Sequence, residues 1–181
     1  MVKKNTNGSG RILWVDLEMT GLDASKDVIL EVAAIVTDWD FNEIATFETV
    51  IHQSDEILEI MNPWCIAQHG ASGLTERSRQ SEISQQKAET KLLTFINKNF
   101  EKDKPVLLAG NSIHMDRRFI TALWPRVDAK LHYRMLDVSA WKVVFEGKFK
   151  KKFAKPQDHR ALGDIRGSII ELQYYLAKVK L

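Results

Sequence analysis

The sequence has one cysteine, Cys65, which excludes an internal disulfide and fits a reducing compartment; a buried, inert thiol is expected there. Long uncharged apolar runs are missing. Even the richest stretch, Val28 to Val36, is broken by Glu31, so nothing approaches the roughly 18 residues of a membrane span. Met1 to Gly10 is mostly Lys, Asn, Gly and Ser with no apolar block behind it, and no secretory leader is expected. Residues 1–10 read as a loose tail, residues 11–181 as one domain, and the chain as cytoplasmic. Charge of one sign is also lacking: 26 basic against 24 acidic residues leave a net +2, too balanced for a protein that grips long nucleic acid through many phosphates, while a short anionic ligand still fits. There is no internal repeat and no linker. At 44% hydrophobic and 28% charged over 181 residues, the composition is that of a globular domain with a real core, neither disordered nor fibrous.

Ile12 to Met19 (ILWVDLEM) is apolar on both alternating faces apart from two acids, as expected of a central strand covered on both sides. Val28 to Thr37 and Ile44 to Ile51, joined by a turn at Asp38 to Asn42, complete an antiparallel meander. Asn62-Pro63 signals a helix start, and Gly70 is expected to stop the short helix that follows. Leu92, Leu93, Ile96 and Phe100 recur at helical spacing within Glu82 to Phe100. A strand at Val106 to Ala109 ends at Gly110, a helix runs from Met115 to Trp124 and closes at Pro125, and Tyr133 to Val138 supplies another strand. Leu162, Ile165, Ile169, Leu172, Leu176 and Val179 form one apolar stripe of a last helix that must lie on the sheet. The pattern predicts an α/β domain with a mixed five-stranded sheet flanked by helices. Lys148 to Lys155 (KFKKKFAK) reads as a solvated basic loop or an RNA contact.

Asp16 and Glu18 are two apart on the first strand, so both carboxylates face one side of the sheet. Two neighbouring acids on an apolar strand repel and call for a cation; taken alone, the pair is equally compatible with a solvated strand end or ion pairs to Arg or Lys. Asp116 starts a helix just after a strand, where site residues of open α/β sheets collect, though an acid there also suits the helix dipole. His159 and Asp164 stand at the start of the last helix, with Asp164 off its apolar stripe and free to point into a cleft.

The blocks DLEMTG, GNSIHMDRRF and HRALGDI, in this order, resemble the three motifs of the DEDDh exonuclease superfamily. Within it, MNPWC, HGASGLT and HYRMLDVS are similar to the oligoribonucleases, and the resemblance runs from about Arg11 to the C-terminus. It implies a ribonuclease H-like fold and a 3′-to-5′ exoribonuclease that cuts very short single-stranded RNA, down to dinucleotides, to nucleoside 5′-monophosphates. By motif position, Asp16, Glu18, Asp116 and Asp164 would hold two divalent ions, with Asp16 bridging, and His159 would act as general base. Carboxylate oxygens favour Mg²⁺ or Mn²⁺ over zinc.

The resemblance further implies that Trp64 stacks on a base, Leu22 wedges between bases and His69 meets the 3′-terminal ribose. From the residues alone, periodicity favours core packing for Trp64, and Leu22 reads as an ordinary core leucine and His69 as a polar surface position. Ser112, Arg134 and Ser139 match positions that hold a 5′ phosphate, and Tyr133 resembles a residue contributed across a homodimer interface. Gly163 and Ala140 depart from the pattern without removing a ligand. Related readings are an exonuclease for longer RNA or DNA ends and an inactive RNA-binding module; the motif acids and histidine argue against the second. A sugar hydrolase would need only two of the acids.

Overall fold

In the computed structural model, which describes residues 10–154 and 161–179, β1 (Ile12–Met19) sits at the centre of a five-stranded sheet. β2 (Ile29–Thr37) pairs antiparallel with β1 and with β3 (Glu43–Val50), while β4 (Val106–Gly110) runs parallel to both β1 and β5 (Leu131–Asp137). The strand order is β3-β2-β1-β4-β5. This is the mixed, helix-flanked, ribonuclease H-like sheet that the sequence implies. The expected tail over residues 1–9 and His159 lie outside the described residues.

Alternation along β1 divides the core. Leu13, Val15 and Leu17 face a layer that includes α4 (Gln85–Asn99) and α5 (His114–Leu123), through Leu92, Ile96, Phe119 and Ile120. Ile12 and Trp14 face α7 (Val138–Phe149) and α8 (Ala161–Leu176), through Phe145, Ile165, Ile169, Leu172 and Tyr175. All nine residues of β2 are buried, and Leu30 also packs on α1 (Asp55–Glu59), α2 (Pro63–Ala71) and α3 (Leu74–Gln80) through Leu58, Cys65 and Leu74. Cys65 is buried as expected, and burial pushes its thiol pKa up.

Several details differ from the sequence reading, among them α7, which takes Val138 from the expected last strand and runs into the expected basic loop. α2 runs through Gly70, and the left-handed residue after it is Gly73, with φ 72°; Gly70 ends nothing because no positive φ is needed there. Gly110 ends the strand as expected but from inside it: β4 runs one residue past Ala109, and Gly110, its last residue, pairs with Asp137. Pro125 closes α5 but also opens a short α6 (Pro125–Asp128) as its first residue. The α8 stripe fails at its end: Leu176 and Val179 are exposed, and Tyr175 takes the buried place.

Candidate active site

The alternation that sends Ile12 and Trp14 toward α8 carries Asp16 and Glu18 to the same face, past the apolar packing. Asp164 occupies the first turn of α8. One carboxylate oxygen from each of Asp16, Glu18 and Asp164 lies within 4.8 Å of the others. Asp116 approaches from α5 and its Oδ1 accepts a hydrogen bond from the Leu17 backbone N–H at 2.9 Å. It therefore sits beside the trio, tied to the residue between Asp16 and Glu18, and is not one of the three converging groups.

Burial pushes the Glu18 carboxyl up to about 7, reinforced by the charges of Glu31 and Asp164 and countered by Arg77. Burial likewise pushes Asp116 up to about 7, against the stabilising Leu17 N–H and with added repulsion from Glu18 and Asp137. Desolvated acids crowded this way are relieved by a divalent cation. The donor set fits one, since every converging atom is a hard carboxylate oxygen.

A cavity of about 380 Å³ opens beside the trio, with Glu18, Trp64, His69, Arg77 and Asp164 in its walls. Trp64 follows Pro63 at the start of α2, where the Asn62 side chain caps the Cys65 N–H at 2.9 Å. Trp64 is 67% exposed and Leu22, beyond the Gly21 turn, is 69% exposed, so neither is the core residue that periodicity alone allows. His69 is buried instead of lying on the surface: its Nε2–H donates to the Met19 carbonyl at 2.9 Å, and Nδ1 stands 3.9 Å from Glu18.

Ser112 and Ser139 meet where β4 and β5 end. Ser112, at φ 51°, donates its N–H to Ser139 Oγ at 2.9 Å and to Asp137 Oδ1 at 3.0 Å. Ser139 Oγ donates to Asn111 Oδ1 at 2.5 Å, and Asn111 Nδ2 donates to the buried Glu171 at 3.2 Å. Tyr133 and Arg134 project from β5, the sheet edge, with the guanidinium 5.3 Å from the Tyr133 ring centre. Met135 pairs with Leu108, and Leu108 with Leu13, so both residues lie upstream of the strand ends where the acids gather. Within one chain the structure does not bring them to the trio.

The sequence model of the family described as "Exonuclease" matches residues 13–172. The oligoribonuclease of Francisella tularensis subsp. novicida is 49% identical over 171 residues, covering 93% of this chain and 95% of that protein. The chain belongs to the oligoribonucleases of the exonuclease family. A probable oligoribonuclease of Schizosaccharomyces pombe is 44% identical over 175 residues, covering 95% of this chain and 69% of that protein. Among solved structures, exonuclease I from Methylocaldum szegediense matches with a TM-score of 0.71 at 16% identity, covering 93% of this chain and 41% of that one. E. coli exonuclease I bound to an oligonucleotide matches at 0.67 and 14%, covering 94% of this chain and 41% of that one. At these identities the structural matches speak for the fold, and this oligoribonuclease-family chain spans about 41% of the two exonuclease I chains.

Glu31 and Arg77, which line the cavity, Asn111, which holds Ser139, and Glu171, which holds Asn111, are not singled out by the motif reading. The signal for Glu31 is in the sequence: it is the one charge within the otherwise uncharged β2 run.

Proposed function

We propose that this chain is a metal-dependent 3′-to-5′ exoribonuclease that degrades very short single-stranded RNA, down to dinucleotides, to nucleoside 5′-monophosphates. Family membership supports the reaction class. The observation that carries it is the convergence of Asp16, Glu18 and Asp164 beside a cavity walled by an exposed tryptophan.

Asp16, Glu18, Asp116 and Asp164 would hold two divalent ions, Mg²⁺ or Mn²⁺. When bound, such ions stabilise the charge that develops on the attacking and leaving oxygens at phosphorus. Trp64 and Leu22 offer apolar faces to the terminal bases, worth roughly 1 to 3 kcal/mol for each stacked base. His69 keeps Nδ1 facing the Glu18 side of the cavity, in a position to meet the terminal ribose. The role of His159 as general base rests on its motif position.

Ser112 and Ser139 are the proposed receivers of the 5′ phosphate, with Arg134 and Tyr133 delivered from the edge strand of a second copy in a homodimer. Their exposure on β5, away from the trio of their own chain, supports that assignment. A chain with one cysteine, and no helix among the described residues long and apolar enough to cross a membrane, is compatible with work in the cytoplasm.

The test uses 5′-phosphorylated RNAs from the dinucleotide upward, with Mg²⁺, Mn²⁺ or a chelator. Dinucleotide cleavage to 5′-monophosphates should vanish in chelator and fall at least about 100-fold in Asp16→Ala. Preference for long ends would replace the substrate assignment, and tight binding without turnover would replace the enzyme by a binding module.

A further inference from the structure

Glu31 is 3% exposed and stands directly opposite Glu18 in the β1–β2 register, on the same face of the sheet. Both line the cavity. Arg77, reaching in from α3 with its side chain about half exposed, donates from Nη1 to Glu31 Oε1 at 2.7 Å. The guanidinium therefore enters the same cavity as Glu18 and Asp164 and ends on neither.

That arrangement has a chemical consequence. A guanidinium is a permanent cation whose forked donors match carboxylates, and it would supply to the acid cluster the positive charge that a metal supplies. Deprived of Glu31, Arg77 has Glu18 and Asp164 as the next carboxylates of its cavity. The attraction between a guanidinium and the remaining acids of a shared cavity favours such a re-pairing.

We propose that Glu31 is a positioning residue of the metal site: it holds Arg77 away from Glu18 and Asp164 and so keeps the Arg77 cation from competing there with divalent cations. The role rests on the metal reading given above. A pair that merely fastens α3 to the sheet would leave cation binding untouched.

Mn²⁺ binding to the RNA-free protein, followed by electron paramagnetic resonance, separates the two. Glu31→Gln should weaken binding roughly 10- to 100-fold, the range for partners that support metal ligands. Glu31→Gln combined with Arg77→Gln should recover most of that loss, because the competing cation is gone. Arg77→Gln alone should bind Mn²⁺ at least as tightly as the wild type.

The proposal is overturned if folded Glu31→Gln binds Mn²⁺ like the wild type, if the double variant is as weak as Glu31→Gln, or if Arg77→Gln alone binds more weakly. Should Glu31→Gln fail to fold by circular dichroism, the double variant and Arg77→Gln, whose changed side chain is half exposed, still decide it. Failure of this role alone leaves wild-type Mn²⁺ binding intact and sensitive to Asp16→Asn. A wild type that binds no Mn²⁺ overturns the metal reading and this role together.

Discussion

Trp64 leaves 67% of its surface in water at the wall of the acid-lined cavity. A ring of that size is normally a large contributor to a core, so its exposure suits a flat partner arriving from solution. Replacing Trp64 by Ala should weaken binding of short RNA by about 1 to 3 kcal/mol, a rise in KM of roughly 5- to 150-fold. The melting temperature should barely move, because little packing is lost. Dinucleotide kinetics beside a thermal melt check both; a large drop in melting temperature with unchanged KM would return Trp64 to the core. At this scale the sequence is informative where a residue conflicts with its neighbours. Asp16 and Glu18 declare themselves as charges in an apolar strand, and Glu31 is no less visible. The partner of Glu31 is 46 residues away on another element, and no local pattern joins the two.

Gly110 shows how an element sets the site. A Cβ there would meet the Val15 carbonyl at 2.8 Å and Ile113 Cδ1 at the same distance, so β4 approaches β1 closely beside Asp16 only without a side chain. Gly110→Ala should cost about 1 to 3 kcal/mol of stability through overpacking, since a backbone carbonyl in a paired strand has little room to yield. Chemical denaturation measures the loss, and Mn²⁺ affinity should fall with it as β1 shifts. The sequence marks Gly110 as punctuation because glycine is read from the chain alone, whereas its use here is a contact between strands.

The helices divide in the same way. α4 and α5 are legible because each buries one stripe against the sheet. α7 is not, because Val143, Val144 and Phe149 stay exposed, and its end runs into the basic stretch that reads as a loop. α1 and α3, of five and seven residues, are too short to establish a period.

The three layers place the N-terminal turns of α5 and α8 at the end of β1, so acids from both sides of the sheet gather there although the net charge is only +2. That concentration makes the stability of the whole molecule depend on pH and on metal. Glu18 and Asp116 have folded-state pKa values of about 7, against ordinary values of 4.5 and 3.8. The folded chain holds these protons more tightly than the unfolded one. Their contribution is complete below the ordinary values and is lost as pH rises through about 7. Asp38 and Glu43, lowered by hydrogen bonds from Asn42 and Arg166, act in the opposite sense at the acid end, where protonation removes what they contribute. Metal-free protein should therefore lose stability from mildly acidic to mildly alkaline pH. Divalent cations bind the deprotonated carboxylates, so the stabilisation they add should grow over the same range, reaching about 2.7 kcal/mol at a free concentration 100 times the Kd. Thermal melts at about pH 5 and about pH 8, with Mn²⁺ or chelator, test the coupling. The Mn²⁺ shift should be small at the lower pH, large at the higher, and absent from both in Asp16→Asn. An equal shift at both pH values would mean that the cation binds somewhere other than these crowded acids.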